Sequence, residues 1–167
     1  MNKLPSIDRL ISKLLESPSS FASEIRTYDY ELETLGTHGR TPLMIAASEG
    51  LDEAFEILVG KGANVNTSGD RLMTPLHEAA ANGHTRIVAR LVELGANVNA
   101  VTKDKVTPLM CAAAWGHLET ARLLVGLSVD CQKADVNGAT ALDIAQEKGE
   151  DEVARFLNSQ MKARESL

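Results

Sequence analysis

Most of the chain alternates two apolar patterns, each at helical spacing. One is short and rich in alanine: Leu43, Ala46 and Ala47, then Leu76, Ala79 and Ala80. The other is longer. Leu51, Ala54, Phe55, Leu58 and Val59 form one stripe, and Ile87, Val88, Leu91 and Val92 form the next. Ala121, Leu124 and Val125 follow, then Val153, Ala154 and Leu157. Apolar residues three and four apart predict amphipathic helices with polar outer faces. Near the N-terminus Leu10, Ile11 and Leu14 keep the same spacing.

The helix boundaries are marked as clearly as their faces. Thr41-Pro42, Thr74-Pro75 and Thr107-Pro108 each open a short pattern. A threonine hydroxyl can accept a hydrogen bond from a free backbone N–H of the first turn, and proline suits the first helical position, where no N–H is needed. Gly50, Gly83, Gly116 and Gly149 follow the short pattern, where a left-handed residue ends a helix.

These marks recur without gaps. TPLMIAASEG (41–50), TPLHEAAANG (74–83), TPLMCAAAWG (107–116) and TALDIAQEKG (140–149) each begin 33 residues after the last. GANVN at 62–66 returns at 95–99 with the same period. Each period therefore encodes two helices with apolar surface on more than one side, which a single unit cannot bury but stacking can.

The period and the run Thr74-Pro75-Leu76-His77-Glu78-Ala79 resemble the ankyrin-repeat signature. Met44 and Met110 replace the histidine in two copies, and Ala141 and Asp143 replace proline and histidine in the last. The resemblance covers Gly36 to the C-terminus directly. It implies an all-α solenoid of about five stacked 33-residue helix-turn-helix units with projecting loops. Residues 1–35 then read as a degenerate N-terminal cap, 36–68, 69–101 and 102–134 as full repeats, and 135–167 as a C-terminal repeat or cap. Shifting by one period sets Leu10 under Leu43, Phe21 under Ala54 and Ile25 under Leu58.

The loops depart from the family pattern, which places glycine two residues before the Thr of Thr-Pro. Gly39 and Gly138 fit, whereas Leu72 and Lys105 do not. A left-handed backbone at Leu72 or Lys105 costs on the order of 1 kcal/mol each; the alternative is a different loop shape. Ser128-Val129-Asp130 stands where Gly-Ala-Asn is expected, which leaves that connection open as well.

Composition narrows the function. Of 167 residues, 44% are hydrophobic and only 4% aromatic, in keeping with closely packed alanine- and leucine-rich helices. The formal net charge is −6, unevenly spread: residues 1–83 carry seven basic and twelve acidic side chains. No Lys/Arg cluster offers a footprint for nucleic acid or an anionic membrane. The start, MNKLPSIDRLISKLLESP, is interrupted by Asp8, Arg9, Lys13 and Glu16 and reads as an amphipathic helix rather than a signal peptide. Two cysteines, Cys111 and Cys131, make no disulfide framework and point to a reducing compartment. The expected setting is intracellular, cytoplasmic or nuclear, with a bacterial effector as the other possibility.

Candidate chemistry is sparse. His77, His84 and His117 fall at repeat-specific positions, where the resemblance implies turn-stabilising hydrogen bonds; no pair has ligand spacing on one helix face. His38 reads as a solvated loop residue. No catalytic constellation or phosphate-binding loop stands out, and Glu150-Asp151-Glu152 reads as charge complementing a helix dipole. We therefore expect a monomer that is not an enzyme and carries no cofactor or metal.

The resemblance implies a protein-interaction module (adaptor, scaffold or stoichiometric inhibitor) that binds another protein or peptide through its concave face. A regulatory subunit of an enzyme complex and a structural spacer are the alternatives. By register the face comprises Arg40, Ser48 and Glu49, then Arg71, Met73, Ala81 and Asn82. The third unit adds Lys103, Asp104, Val106, Ala114 and Trp115, and the fourth Asn137, Ala139, Glu147 and Lys148. Met73, Val106 and Trp115 are the larger apolar members. Trp115 matches Glu49, Asn82 and Lys148, so the fold does not require tryptophan there.

Overall fold

The structure, a computed structural model, describes residues 6–27, 29–36, 38–127 and 129–165. Ser128 of the open connection lies outside the described residues, as do residues 1–5, 28, 37, 166 and 167 of the expected units.

Among the described residues the chain forms ten α-helices and no strand. They are α1 Ile7–Glu16, α2 Pro18–Thr27, α3 Pro42–Ser48, α4 Asp52–Gly60, α5 Pro75–Ala81, α6 Thr85–Glu93, α7 Pro108–Ala114, α8 Leu118–Gly126, α9 Ala141–Lys148 and α10 Asp151–Glu165. Odd-numbered helices pack on odd-numbered ones along the chain, with even-numbered helices behind them. Five helix pairs thus stack as the resemblance implies.

The caps work as their residues suggest. The hydroxyls of Thr41, Thr107 and Thr140 accept from Met44 N, Met110 N and Asp143 N at 3.3, 3.2 and 3.3 Å. Gly50 (φ 68°) and Gly83 (φ 71°) end α3 and α5 in the left-handed region. They are tied to glycine twice over, because a Cβ would sit 2.5 Å from the imidazole of His84 or His117 in the next pair.

Closest approach falls between the first helices of each pair. Ala46, Ala47, Ala79, Ala80, Ala112 and Ala113 are each fully buried. The second helices stand further apart, and open grooves run between them: about 400 Å³ between α8 and α10, and about 280 Å³ between α4 and α6. Ion pairs lace the latter groove, Arg86–Asp52 at 3.4 Å and Arg90–Glu56 at 2.9 Å. With one row of helices tight and the other splayed, the surface over α3, α5, α7 and α9 curves inward.

The first pair is built like the others despite lacking the signature. Leu10, Phe21 and Ile25 are buried, at 0, 0 and 2% exposure. Glu24 is buried between Arg9 (2.8 Å) and Tyr30 Oη (2.5 Å), and the Tyr30 hydrogen bond, with help from Arg9, holds its carboxyl below the usual range. One polar link recurs with the period. Asn66 Oδ1 accepts from Asn97 N at 2.9 Å and Asn99 Oδ1 from Asp130 N at 3.4 Å. Glu33, one period before Asn66, accepts from Asn64 N through Oε1 at 2.7 Å.

Backbone hydrogen bonds zip the projecting loops together: Asp70 N to Gly39 O at 2.9 Å, Lys103 N to Arg71 O at 2.9 Å and Val136 N to Asp104 O at 3.0 Å. Leu72 (φ 62°) and Lys105 (φ 58°) both keep the left-handed backbone of Gly39 and Gly138. The loop at Leu72 has a second left-handed residue, Arg71 (φ 58°), within a 3₁₀ turn over Asp70–Leu72. Thr102 Oγ1 accepts from Val106 N at 3.1 Å, and Asp135 Oδ1 from Ala139 N at 2.9 Å. In the loop at 69–73 the first residue is glycine, and Met73 N donates to Asp70 O at 3.2 Å.

Removing residues 1–35 strips α1 and α2 from α3 and α4 and exposes apolar surface. The truncated chain is expected to melt more than about 4 °C below the full chain, since about 1 kcal/mol moves a domain of this size by roughly 2–4 °C. A thermal melt followed by circular dichroism checks this; equal midpoints would show that the first pair adds nothing.

Candidate functional site

Two rows of side chains, both set by the 33-residue period, line the inward-curving surface. The first comes from the C-terminal ends of α3, α5, α7 and α9: Ser48 and Glu49, Ala81 and Asn82, Ala114 and Trp115, Glu147 and Lys148. The second comes from the loops: Arg40, Arg71, Met73, Lys103, Asp104, Val106, Asn137 and Ala139.

Polar links run between units along both rows. Asn82 Nδ2 donates to Ser48 Oγ at 3.3 Å and to Glu78 O at 3.0 Å. The Arg71 guanidinium pairs with Asp104 on the next loop. Arg40 reaches Glu78 at 3.8 Å, while Lys148 and Glu147 pair at 3.8 Å within one helix end. Glu78 is largely buried; desolvation raises its pKa, with Arg40 opposing the rise. Glu49, Lys103, Asn137 and Glu147 are exposed.

The three larger apolar members part company here. Trp115 is 67% exposed. Met73 is half-buried, and Val106 packs against the core. Ala81 also packs there. Val106 turns inward because its carbonyl accepts from His77 Nε2 at 3.1 Å while its N–H binds Thr102, which pins the loop base to α5. Of Met73, Val106 and Trp115, only Trp115 is therefore exposed.

Besides Trp115, five larger apolar residues are exposed among the described residues and none is selected by register: Leu15 (57%), Leu35 (40%), Leu72 (47%), Leu127 (36%) and Val136 (53%). Leu15 lies one period before Ser48, so extending the register into α1 finds it. Leu72 and Val136 sit at the loop tips, beside residues that the register does select.

The histidines carry structure. His84 Nε2 donates to Ser48 O at 2.9 Å and His117 Nε2 to Ala81 O at 3.0 Å, each tying a helix pair to the helix end before it. His77 is fully buried and bound on both nitrogens. Its Nε2 must donate to Val106 O, because a carbonyl only accepts. Its Nδ1 therefore accepts, from Thr74 N at 3.3 Å and Thr74 Oγ1 at 2.8 Å. Burial pushes the His77 pKa down, against the opposing pull of the Val106 and Ala100 backbone. Burial, with Glu78 nearby, pushes the Cys111 thiol up to about 12, so it holds its proton at neutral pH.

No group of three or more His, Cys, Asp or Glu side chains is arranged for a metal among the described residues. No helix among them is long and apolar enough to cross a membrane.

Among known families, the model described as ankyrin repeats in three copies matches residues 7–102 and 76–164. No curated protein matches the chain.

Neutral His77 is favoured in the fold, so its contribution to stability is present above its unfolded pKa of about 6.5 and is lost as pH falls below it. Between pH 7.5 and 5.5 this loss reaches up to about 1.4 kcal/mol, or about 2–4 °C. Wild type is expected to lose that much more melting temperature over this range than His77→Gln, whose amide can donate and accept but does not titrate. Measuring both proteins at both values isolates His77, because Glu78 and the other carboxylates are common to the two. Parallel losses would show that His77 titrates as it does in the unfolded chain.

Proposed function

Because the chain belongs to the ankyrin-repeat family, whose repeats serve generally as protein–protein interaction modules, we propose that it binds a protein or peptide partner on the surface formed by the loops and the ends of α3, α5, α7 and α9. The exposure of Trp115 carries this reading. A tryptophan with two-thirds of its surface in water contributes little to packing. Its register partners Glu49, Asn82 and Lys148 are polar and exposed, so the stack tolerates any of these residues there. An accessible aromatic ringed by polar side chains suits an interface anchor, where truncation commonly costs about 2 kcal/mol or more. The same surface supports an adaptor, a scaffold or a stoichiometric inhibitor. Stoichiometric capture of one partner from native lysate, followed by calorimetric titration, separates these roles from that of a spacer.

Trp115→Ala is expected to keep its helical circular dichroism and to melt within about 2 °C of wild type, as exposed substitutions usually do. Affinity for the captured partner should fall at least tenfold. A large drop in melting temperature would make Trp115 a packing residue, and unchanged affinity would move the partner to another surface.

A further inference from the structure

The non-glycine residues with left-handed backbone among those described fall on two adjacent loop tips: Arg71, Leu72 and Lys105. Glycine holds the matching places at Gly39 and Gly138, so the architecture accepts glycine there. Packing does not explain the side chains found instead. Leu72 is 47% exposed. Lys105 is exposed, and among the described residues its ammonium has no hydrogen-bond or ion-pair partner. The backbone thus accepts strain at 72 and 105 in order to carry side chains that the stack does not use.

The chemistry of those side chains indicates what they meet. Lys103 N is bonded to Arg71 O and Val136 N to Asp104 O, so Leu72, Lys103, Lys105 and Val136 lie along one strip of linked backbone. Leu72 and Val136 are exposed apolar groups, 47 and 53% accessible. Lys103 is exposed and, like Lys105, unpaired among the described residues. The acidic residues of the two tips are directed elsewhere. Asp104 is engaged by Arg71, and the Asp70 carboxylate lies against Gly39 of the preceding loop, in the space a Cβ there would fill. In a chain of net charge −6, this strip offers two unengaged cations flanked by apolar surface.

We infer that the tips at 70–73 and 103–106, with Val136 of the following loop, select an acidic partner segment, one that sets an apolar side chain against Leu72 and Val136 and carboxylates against Lys103 and Lys105. This rests on the interaction face proposed above and specifies the chemistry of what docks there. Charge attraction of this kind is screened over about 8 Å at physiological salt, so binding should weaken as salt is raised.

A random peptide library displayed on phage and panned on the full chain tests this with the natural partner still unidentified. Enriched peptides are expected to combine acidic and apolar residues and to bind more weakly at about 0.5 M than at about 0.05 M salt, given that screening. Their affinity should fall at least tenfold on Lys103→Glu/Lys105→Glu and at least fivefold on Leu72→Gly. At the same time Leu72→Gly and Lys105→Gly should each raise the melting temperature by about 2–4 °C, through relief of left-handed strain. Enrichment of neutral or basic peptides, no enrichment at all, unchanged affinity on these variants, or no rise in melting temperature would each overturn the inference. Peptides that lose affinity on Trp115→Ala but not on the tip variants would leave the interaction face standing and remove only this inference. Peptides indifferent to both sets would remove both.

Discussion

Alanine against alanine, between α3, α5 and α7, sets the spacing on which the rest of the molecule depends. Ala46 and Ala47, Ala79 and Ala80, and Ala112 and Ala113 are all completely buried, and α3, α5 and α7 pack closely on one another. Larger residues there would force neighbouring units apart, at roughly 1–3 kcal/mol for each overpacked site. The greater loss would be geometric, because every polar connection between units is short-ranged and needs this separation.

Three kinds of these connections recur from unit to unit. On one side the loops exchange single backbone hydrogen bonds of 2.9–3.0 Å. At the helix ends His84 and His117 reach back to carbonyls of the preceding pair, which would otherwise face a close neighbour without a donor. Such an unmet buried carbonyl costs on the order of 1–3 kcal/mol. On the opposite side Glu33, Asn66 and Asn99 accept from backbone N–H groups of the following unit. Because these links are local and repeated, stability is distributed unit by unit, and the first pair can depart from the signature while keeping Glu33 at the linking position.

The elements that were legible in the sequence are those that residue type alone decides. A Thr-Pro pair can cap and open a helix whatever its neighbours are, and glycine can end one. The apolar stripes located every second helix, although Leu51 proved to be the N-cap residue of α4 rather than part of its first turn. The loop shape at 70–72 was less legible, because Arg71 joins Leu72 in the left-handed region and neither residue type favours that backbone. Register placed Val106 on the interaction face. It packs inward because His77, 29 residues earlier, donates to its carbonyl. A side chain's direction in a loop is fixed by contacts of that kind, which spacing along the chain does not reveal. Leu15 could have been read, but only by trusting the register in α1, where Thr-Pro is missing.

The loops join to one another through main-chain atoms, and that has a consequence for specificity. A backbone hydrogen bond from Lys103 N to Arg71 O places no demand on the side chain of either residue. The stack is held there by atoms common to all residues, so the tips can change chemistry while their positions stay fixed. The helix ends behave in the same way: His84 and His117 engage the carbonyls of Ser48 and Ala81, leaving the next positions, Glu49 and Asn82, turned to solvent with Trp115 in the same row. A rigid backbone lowers the ordering cost of binding, while residue type at these positions is free to vary. The one place where this separation fails is the left-handed tip, where side-chain identity does carry a backbone cost. A non-glycine residue at 72 or 105 is therefore the more informative departure from the repeat, because the fold by itself favours its removal.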